Sequence, residues 1–290
     1  MPVPKKNMVW LASYPKSGNT WFRIFLSNLF SDSPDPININ NLNKTPISSS
    51  RDLIDQYLGI HSSELTNEEI DNLRPEVFKK ISEEKMELSY HKTHDAWTLN
   101  SKGRPIFPAE ITRSVIYIIR NPLDLAISYA YHNGETIDQT ISLLNKNDAR
   151  IAAKKNKLNT QTQQILTSWS GHVISWIDRS KLPVHIIRYE DMLDDPLRTF
   201  GAALEFLQLD YIESVIIRAI NNSSFNILKE METADDFKER SIQSESFFRK
   251  GKSGEWKTRL SDAQIHEIVS HHKETMQRFG YLRSEKTSSE

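Results

Sequence analysis

The segment Ser114 to Arg120 (SVIYIIR) constrains the fold of this chain more than any other. A β-branched run without polar alternation is typical of a strand buried on both faces, which requires covering layers above and below it. Its apolar core, Val115 to Ile119, is as long as any apolar stretch in the sequence and falls far short of the roughly 18 residues that would span a bilayer. Asn121-Pro122 follows directly, and proline at a first helical turn is placed to start a helix over Leu123 to His132. Met8 to Tyr14 (MVWLASY) is a second apolar run; it breaks at Pro15 and Gly18, and the following NTWFRIFLSNLF carries a helical spread of apolar residues. Val184 to Tyr189 (VHIIRY) is a third buried-strand candidate. Helical patterns cover 64–88 with an interruption at Pro75, Thr162 to Arg179, Asp195-Pro196 to about Leu207, about Ile212 to Asn221, and Asp262 to Phe279. Leu88 to His94 is a short segment leading into a loop, and residues 31–50, 133–161 (with Lys154, Lys155 and Lys157) and 232–255 read as loop or irregular chain. Strands alternating with helices predict an α/β fold, a central parallel sheet flanked by helices on both faces. With no internal repeat and no separating linker, residues 1–290 read as a single domain.

Composition excludes several classes of function. The 290 residues contain no cysteine, so there is no disulfide framework, thiolate zinc site, cysteine nucleophile or iron–sulfur cluster. A formal net charge of −1 argues against bulk electrostatic binding to nucleic acid while leaving room for a local basic pocket. The opening MPVPKKNMVWLASYP is too short and interrupted in its apolar part for a signal peptide, so a cytoplasmic protein with neither a membrane nor a nucleic-acid partner is expected. The chain has only nine glycines, roughly half of average usage, so each marks a place where the backbone needs a left-handed turn or a close approach.

Three segments carry the chemistry. Ser13-Tyr14-Pro15-Lys16-Ser17-Gly18-Asn19-Thr20-Trp21 joins the first strand to its helix, a P-loop-like strand–loop–helix whose amide groups, lysine and hydroxyls suit an anionic phosphate. The Walker A pattern fails: the lysine precedes the glycine and position 11 is Leu; Gly251-Lys252-Ser253 mimics its end, but position 246 is Ser. Taken alone, this loop reads equally as an ordinary capped helix start. Arg120 to Tyr129 (RNPLDLAISY) puts a cation at a second strand end and the Ser128 hydroxyl in the following helix. Phe248 to Lys257 (FRKGKSGEWK) packs Arg249, Lys250, Lys252 and Lys257 together with Gly251 and Gly254, a charge run that by itself also suits a solvated face.

In this order, and joined by Tyr189-Glu190-Asp191-Met192, the three segments resemble the PAPS-dependent sulfotransferases of the cytosolic, small-molecule type, over residues 8 to 260. That family transfers a sulfuryl group from 3′-phosphoadenosine 5′-phosphosulfate (PAPS) to a hydroxyl or amine and leaves 3′-phosphoadenosine 5′-phosphate (PAP), with no obligatory metal. The resemblance implies that Lys16, Ser17, Gly18, Asn19 and Thr20 wrap the 5′-phosphosulfate and that Trp21 and Phe225 flank the adenine. It implies that Arg120, Ser128, Arg249, Lys250 and Gly251 hold the 3′-phosphate, that Phe248 also belongs to the cofactor site, and that Tyr189 and Ser223 contact the nucleoside. Lys92-Thr93-His94 fits the family's K-x-H segment, making His94 the general base, with Lys16, Lys92 and Ser128 completing the catalytic set. Glycine is then expected where backbone approaches phosphate.

The chain also departs from the family pattern. After His94 it reads Asp95-Ala96-Trp97 where many members have Leu-Pro, so the acceptor is not expected to be a routine planar phenol; Asp95 reads either as a holder of a cationic acceptor group or as a solvated loop carboxylate. The stretch Lys257 to His266 lacks the Val and Glu of the dimerisation motif of many animal members, so a monomer, or a dimer made another way, is expected. His91 and His94 are three apart but lack companions for a metal site. The alternative reading is a nucleotide-dependent phosphotransferase or NTPase with an atypical phosphate loop, which needs a magnesium-binding carboxylate at a strand end, Asp191 being the nearest. A non-catalytic nucleotide-binding protein is a third reading, disfavoured by the joint presence of Lys16 and His94.

Overall fold

The computed structural model describes residues 5–153 and 158–282; the lysines at 154, 155 and 157 lie outside the described residues. From the N-terminus, β1 (Met8–Ser13) runs through a short loop into α1 (Asn19–Leu29), and α2 (Arg51–Leu58) and α3 (Asn67–Glu84) precede β2 (Ser89–Thr93). Next come β3 (Thr112–Ile119), α4 (Pro122–Asn133) and α5 (Ile137–Asn145), then the two-residue strands β4 (Arg150–Ile151) and β5 (Gln164–Ile165), which pair antiparallel. The helix α6 (Trp169–Ile174) continues as a π-helical turn to Arg179 and leads to β6 (Val184–Arg188). The C-terminal part is helical: α7 (Tyr189–Asp194), α8 (Pro196–Leu207), α9 (Glu213–Asn222), α10 (Phe225–Ala234), α11 (Trp256–Arg259) and α12 (Asp262–Arg278).

Four strands form one parallel sheet in the order β2-β1-β3-β6. Alternate residues of β1 and β3 enter different cores. Trp10, Ala12, Val115, Tyr117 and Ile119 pack with Phe78 of α3, Trp169 of α6 and Met276 of α12. Val9, Leu11, Ile116 and Ile118 pack with Phe22 and Phe25 of α1 and Phe200 of α8. The both-faces burial expected of Ser114 to Arg120 is therefore met by helices on each side. The chain leaves β1 for one neighbour and later returns beside it on the other, so β1 adjoins the topological switch point, where open α/β sheets bind ligands beyond their carboxyl ends. The residues following the four strands (the 14–18 loop, His94, Arg120 and Tyr189) all emerge at that edge. Among the described residues no helix is long and apolar enough to cross a membrane.

Several elements differ from the sequence expectation for identifiable reasons. Pro75 does not interrupt α3. Its missing N–H would orphan the Asp71 carbonyl one turn back, but the Asn100 side-chain amide donates to that oxygen at 3.3 Å and Arg104 donates to the Asn72 carbonyl at 2.9 Å. Leu88 to His94 holds a strand, β2, paired along β1. Within 133–161, α5 begins with a capping box formed by Thr136 and Gln139. Thr162 to Arg179 is not one helix: Gln164 and Ile165 pair with β4, and α6 starts where the Ser168 hydroxyl accepts from the Gly171 N–H.

Asp95 is corrected as well. It neither faces an acceptor nor sits in solvent; its side chain is wholly buried and pairs with the equally buried Arg74, Nη2 to Oδ2 at 2.6 Å and Nη1 to Oδ1 at 3.2 Å. Its carboxylate also accepts the Ile165 N–H at 3.0 Å, and the Trp176 indole donates to its carbonyl at 2.8 Å. This network anchors the chain one residue beyond His94. Removing Asp95 leaves the buried Arg74 with only its longer contact to Asp71 at 3.5 Å, so Asp95→Ala is expected to cost about 3 kcal/mol in urea unfolding, whereas Arg74→Met in the Asp95→Ala background recovers part of that loss.

Candidate active site

The loop after β1 is shaped by its backbone. Lys16 and Gly18 both adopt positive φ, 67° and 101°, and the Asn19 side-chain amide donates back to the Leu11 carbonyl at 2.8 Å and the Ser13 hydroxyl at 3.1 Å. A Cβ at Gly18 would lie 2.6 Å from Cδ2 of Tyr189, so this glycine admits an aromatic ring as well as a left-handed turn. The Ser17 hydroxyl, the Asn19 Oδ1 and the Trp21 indole nitrogen are buried without protein partners. Arg120, at the end of β3, donates to the Lys16 carbonyl at 2.9 Å and the Lys252 carbonyl at 3.3 Å, and its guanidinium lies 4.2 Å from the centre of the Tyr189 ring.

At the end of β2, His94 places Nδ1 2.8 Å from the Ser13 carbonyl oxygen. A carbonyl only accepts, so Nδ1 carries the proton and Nε2 keeps its lone pair. Burial, aided by the positive charge of Lys92, holds the imidazole well below its ordinary value and hence neutral. Lys16 is pushed down to about 7, first by burial and then by repulsion from Arg120 and Lys92; its ammonium lies 3.7 Å from the centre of the Phe247 ring. Lys92 pairs with Glu239 at 2.8 Å, and the second oxygen of Glu239 meets Arg23 of α1 at 2.6 Å. Burial would push the Glu239 carboxyl upward, but the two cations outweigh it and hold it below the usual carboxylate range.

The late basic loop is held by Asp124 in the first turn of α4, whose carboxylate accepts the Gly254 N–H at 2.6 Å and the Trp256 N–H at 3.0 Å. Gly251, at φ 59°, would place a Cβ 2.4 Å from Cδ2 of Phe225. The glycines expected for phosphate approach are thus also the places where Tyr189 and Phe225 close on the two loops. Arg249 and Lys250 both contact Glu255.

One cavity of about 540 Å³ joins these groups. It brings together Lys16, Gly18, Asn19, Thr20, Trp21, Lys92, His94, Arg120, Ser128, Tyr189, Phe225, Phe248, Arg249, Lys250 and Gly251. Two candidates stand apart. Ser17 lies beneath the loop, 1% exposed, and Ser223 is fully buried with its hydroxyl donating to the Ala219 carbonyl of its own helix at 2.5 Å, which turns it away from the cavity. Asp191 lies outside the lining and pairs with Arg188 at 3.2 Å, so the carboxylate required by the phosphotransferase reading is directed elsewhere. The sequence reading missed Tyr129, His132, Gln161, Gln164, Glu239 and Phe247 in the wall. His132 lies four residues beyond Ser128 and could have been found from helical spacing; Tyr129, one residue on, is not given by that spacing, and the other four sit where no pattern was readable. Chemically, the cavity offers a neutral imidazole lone pair beside two lysines, with a second cation cluster farther along the lining.

Comparison with known proteins identifies the family. Rat sulfotransferase 1 family member D1 is 30% identical over 159 residues, 53% of this chain; the chain spans about half the length, 52%, of that relative. Mouse sulfotransferase 1E1 is 26% identical over 271 residues, covering 92% of this chain and 82% of that protein. Flavonol 3-sulfotransferase of Flaveria bidentis is 27% identical over 281 residues, 90% of this chain and 79% of that protein. Among solved structures, mouse sulfotransferase SULT7A1 complexed with PAP shares the fold, with a TM-score of 0.59 and 21% identity over 97% of this chain and 87% of that one. Retinol dehydratase in complex with retinol and PAP gives the same TM-score, 0.59, at 19% identity, over 94% of this chain and 82% of that one. The family model described as the sulfotransferase domain matches residues 6–280, and the chain belongs to that family.

Proposed function

We propose that this protein transfers the sulfuryl group of PAPS to a hydroxyl or amine of a small-molecule acceptor, releasing PAP. The observation that carries this reading is the placement of His94 Nε2, free to accept a proton, in the same cavity as Lys16 and Lys92. The solved relatives that share the fold were captured with PAP, and two retinol dehydratase complexes hold androsterone or retinol as well.

The residues present suit such a donor. The Ser17 hydroxyl and the Trp21 indole N–H, donors buried without protein partners, lie at the loop after β1 and the start of α1, and Lys16, Lys92, Arg120, Arg249 and Lys250 are among the cations that reach the cavity. In the proposed step His94 Nε2 takes the acceptor proton as the acceptor atom bonds to sulfur. The bond from sulfur to the bridging phosphate oxygen breaks, and Lys16 and Lys92 offset the charge left on that oxygen. Ser128 lies within the same lining and supports the phosphate. Trp21 and Phe225, on separate elements, flank the adenine in this reading.

His94→Ala is expected to lower turnover about 10²–10⁴-fold while PAP affinity, measured by calorimetry, changes little; full activity in that variant would overturn the base assignment. Lys16 supplies a pH test. Its folded value near 7 means that it is protonated below that pH and loses its charge above it, and an anion binds the protonated form. PAP affinity should therefore weaken as pH rises from 6 to 9, and this slope should flatten in Lys16→Met.

A further inference from the structure

Arg249 and Lys250 do not meet the cavity as free cations. Glu255, six residues after Arg249, forks onto its guanidinium, Oε1 to Nη1 at 3.0 Å and Oε2 to Nη2, and Oε1 also accepts from the Lys250 ammonium at 2.7 Å. Only 13% of the Glu255 side chain is exposed. The hydrogen bond from Arg249, with help from Lys250, pulls its carboxyl down to about 2, so the negative charge persists at any working pH. The tether is short and shaped: Gly251 and Gly254 both take positive φ, and Asp124 fixes the amides on either side of Glu255. The carboxylate is therefore held over both cations by the loop's own geometry.

We propose that Glu255 is an internal counter-anion that competes with the 3′-phosphate of the nucleotide for Arg249 and Lys250, lowering affinity for spent PAP and speeding its release. This rests on the sulfotransferase reading above and adds a determinant of donor affinity to it. A planar guanidinium binds phosphate best through paired N–H groups, and here the pair at its end is already taken by a carboxylate. With Glu255 in place, the two cations present a net charge of one to an incoming dianion; with it withdrawn, they present two. A site that must discharge its nucleotide every turnover benefits from the weaker state, because product release limits many enzymes of this kind of cycle. A neutral amide at this position keeps the side chain's shape and removes the competition.

The test is calorimetric titration of wild type, Glu255→Gln and Glu255→Ala with PAP and with 5′-AMP, which lacks the 3′-phosphate, alongside stopped-flow dissociation of PAP. Glu255→Gln is expected to bind PAP at least tenfold tighter and release it correspondingly more slowly, with 5′-AMP affinity within twofold of wild type. Unchanged or weaker PAP binding in both variants overturns the proposal, including the case in which a lowered melting temperature shows that Glu255 simply braces the loop. Equal tightening of PAP and 5′-AMP also overturns it, because the effect would then not involve the 3′-phosphate. A wild-type protein that binds no PAP at all overturns instead the donor assignment on which the proposal rests.

Discussion

The architecture of the cavity depends on the Arg120 guanidinium. From the end of β3 it reaches the loop after β1 through the Lys16 carbonyl, the late basic loop through the Lys252 carbonyl, and the end of β6 through the Tyr189 ring. Three segments far apart in sequence are thus registered by one planar group. Its hydrogen bonds go to carbonyl oxygens, which carry no formal charge, and the side chain is only 7% exposed. Positive potential is therefore left over inside the cavity, and it also depresses Lys16. The fold uses this arginine's charge for assembly without neutralising it.

The other cations are treated differently. Lys92 and Arg23 share Glu239, and Arg249 and Lys250 share Glu255. This pairing reconciles a strongly basic lining with a formal net charge of −1. It also explains how the 235–247 segment, without regular secondary structure, stays docked: Glu239 ties it to α1 and β2, and Phe237 and Phe248 pack with Ile24 of α1.

What was legible in the sequence followed from local physics. Ser114 to Arg120 reads as a doubly covered strand, and the N-terminal strand–loop–helix was visible because a strand, a Lys-Ser-Gly turn and a helix lie within two dozen residues. The failures all involve partners distant along the chain. Asp95 looked available because Arg74 is 21 residues upstream on a helix that only the tertiary fold brings against it. Pro75 looked like a break because the donors that rescue its turn come from the 100–104 loop. Glu239 sits in a segment without periodicity and finds its meaning 147 and 216 residues away. Ser223 was placed by the family resemblance alone, which carries no information on whether a hydroxyl turns outward or bonds its own helix.

The Ser13 carbonyl that orients His94 has a consequence for how such a protein can change. Catalytic histidines are often oriented by a carboxylate or amide side chain, which a single codon change can delete. Here the orienting atom belongs to the main chain of a central strand, and every amino acid at position 13 supplies it. The rest of the cavity wall can therefore drift residue by residue while the same imidazole nitrogen keeps its lone pair. Substitution elsewhere around the cavity is thereby separated, by one main-chain hydrogen bond, from the tautomer of the ring that lines it.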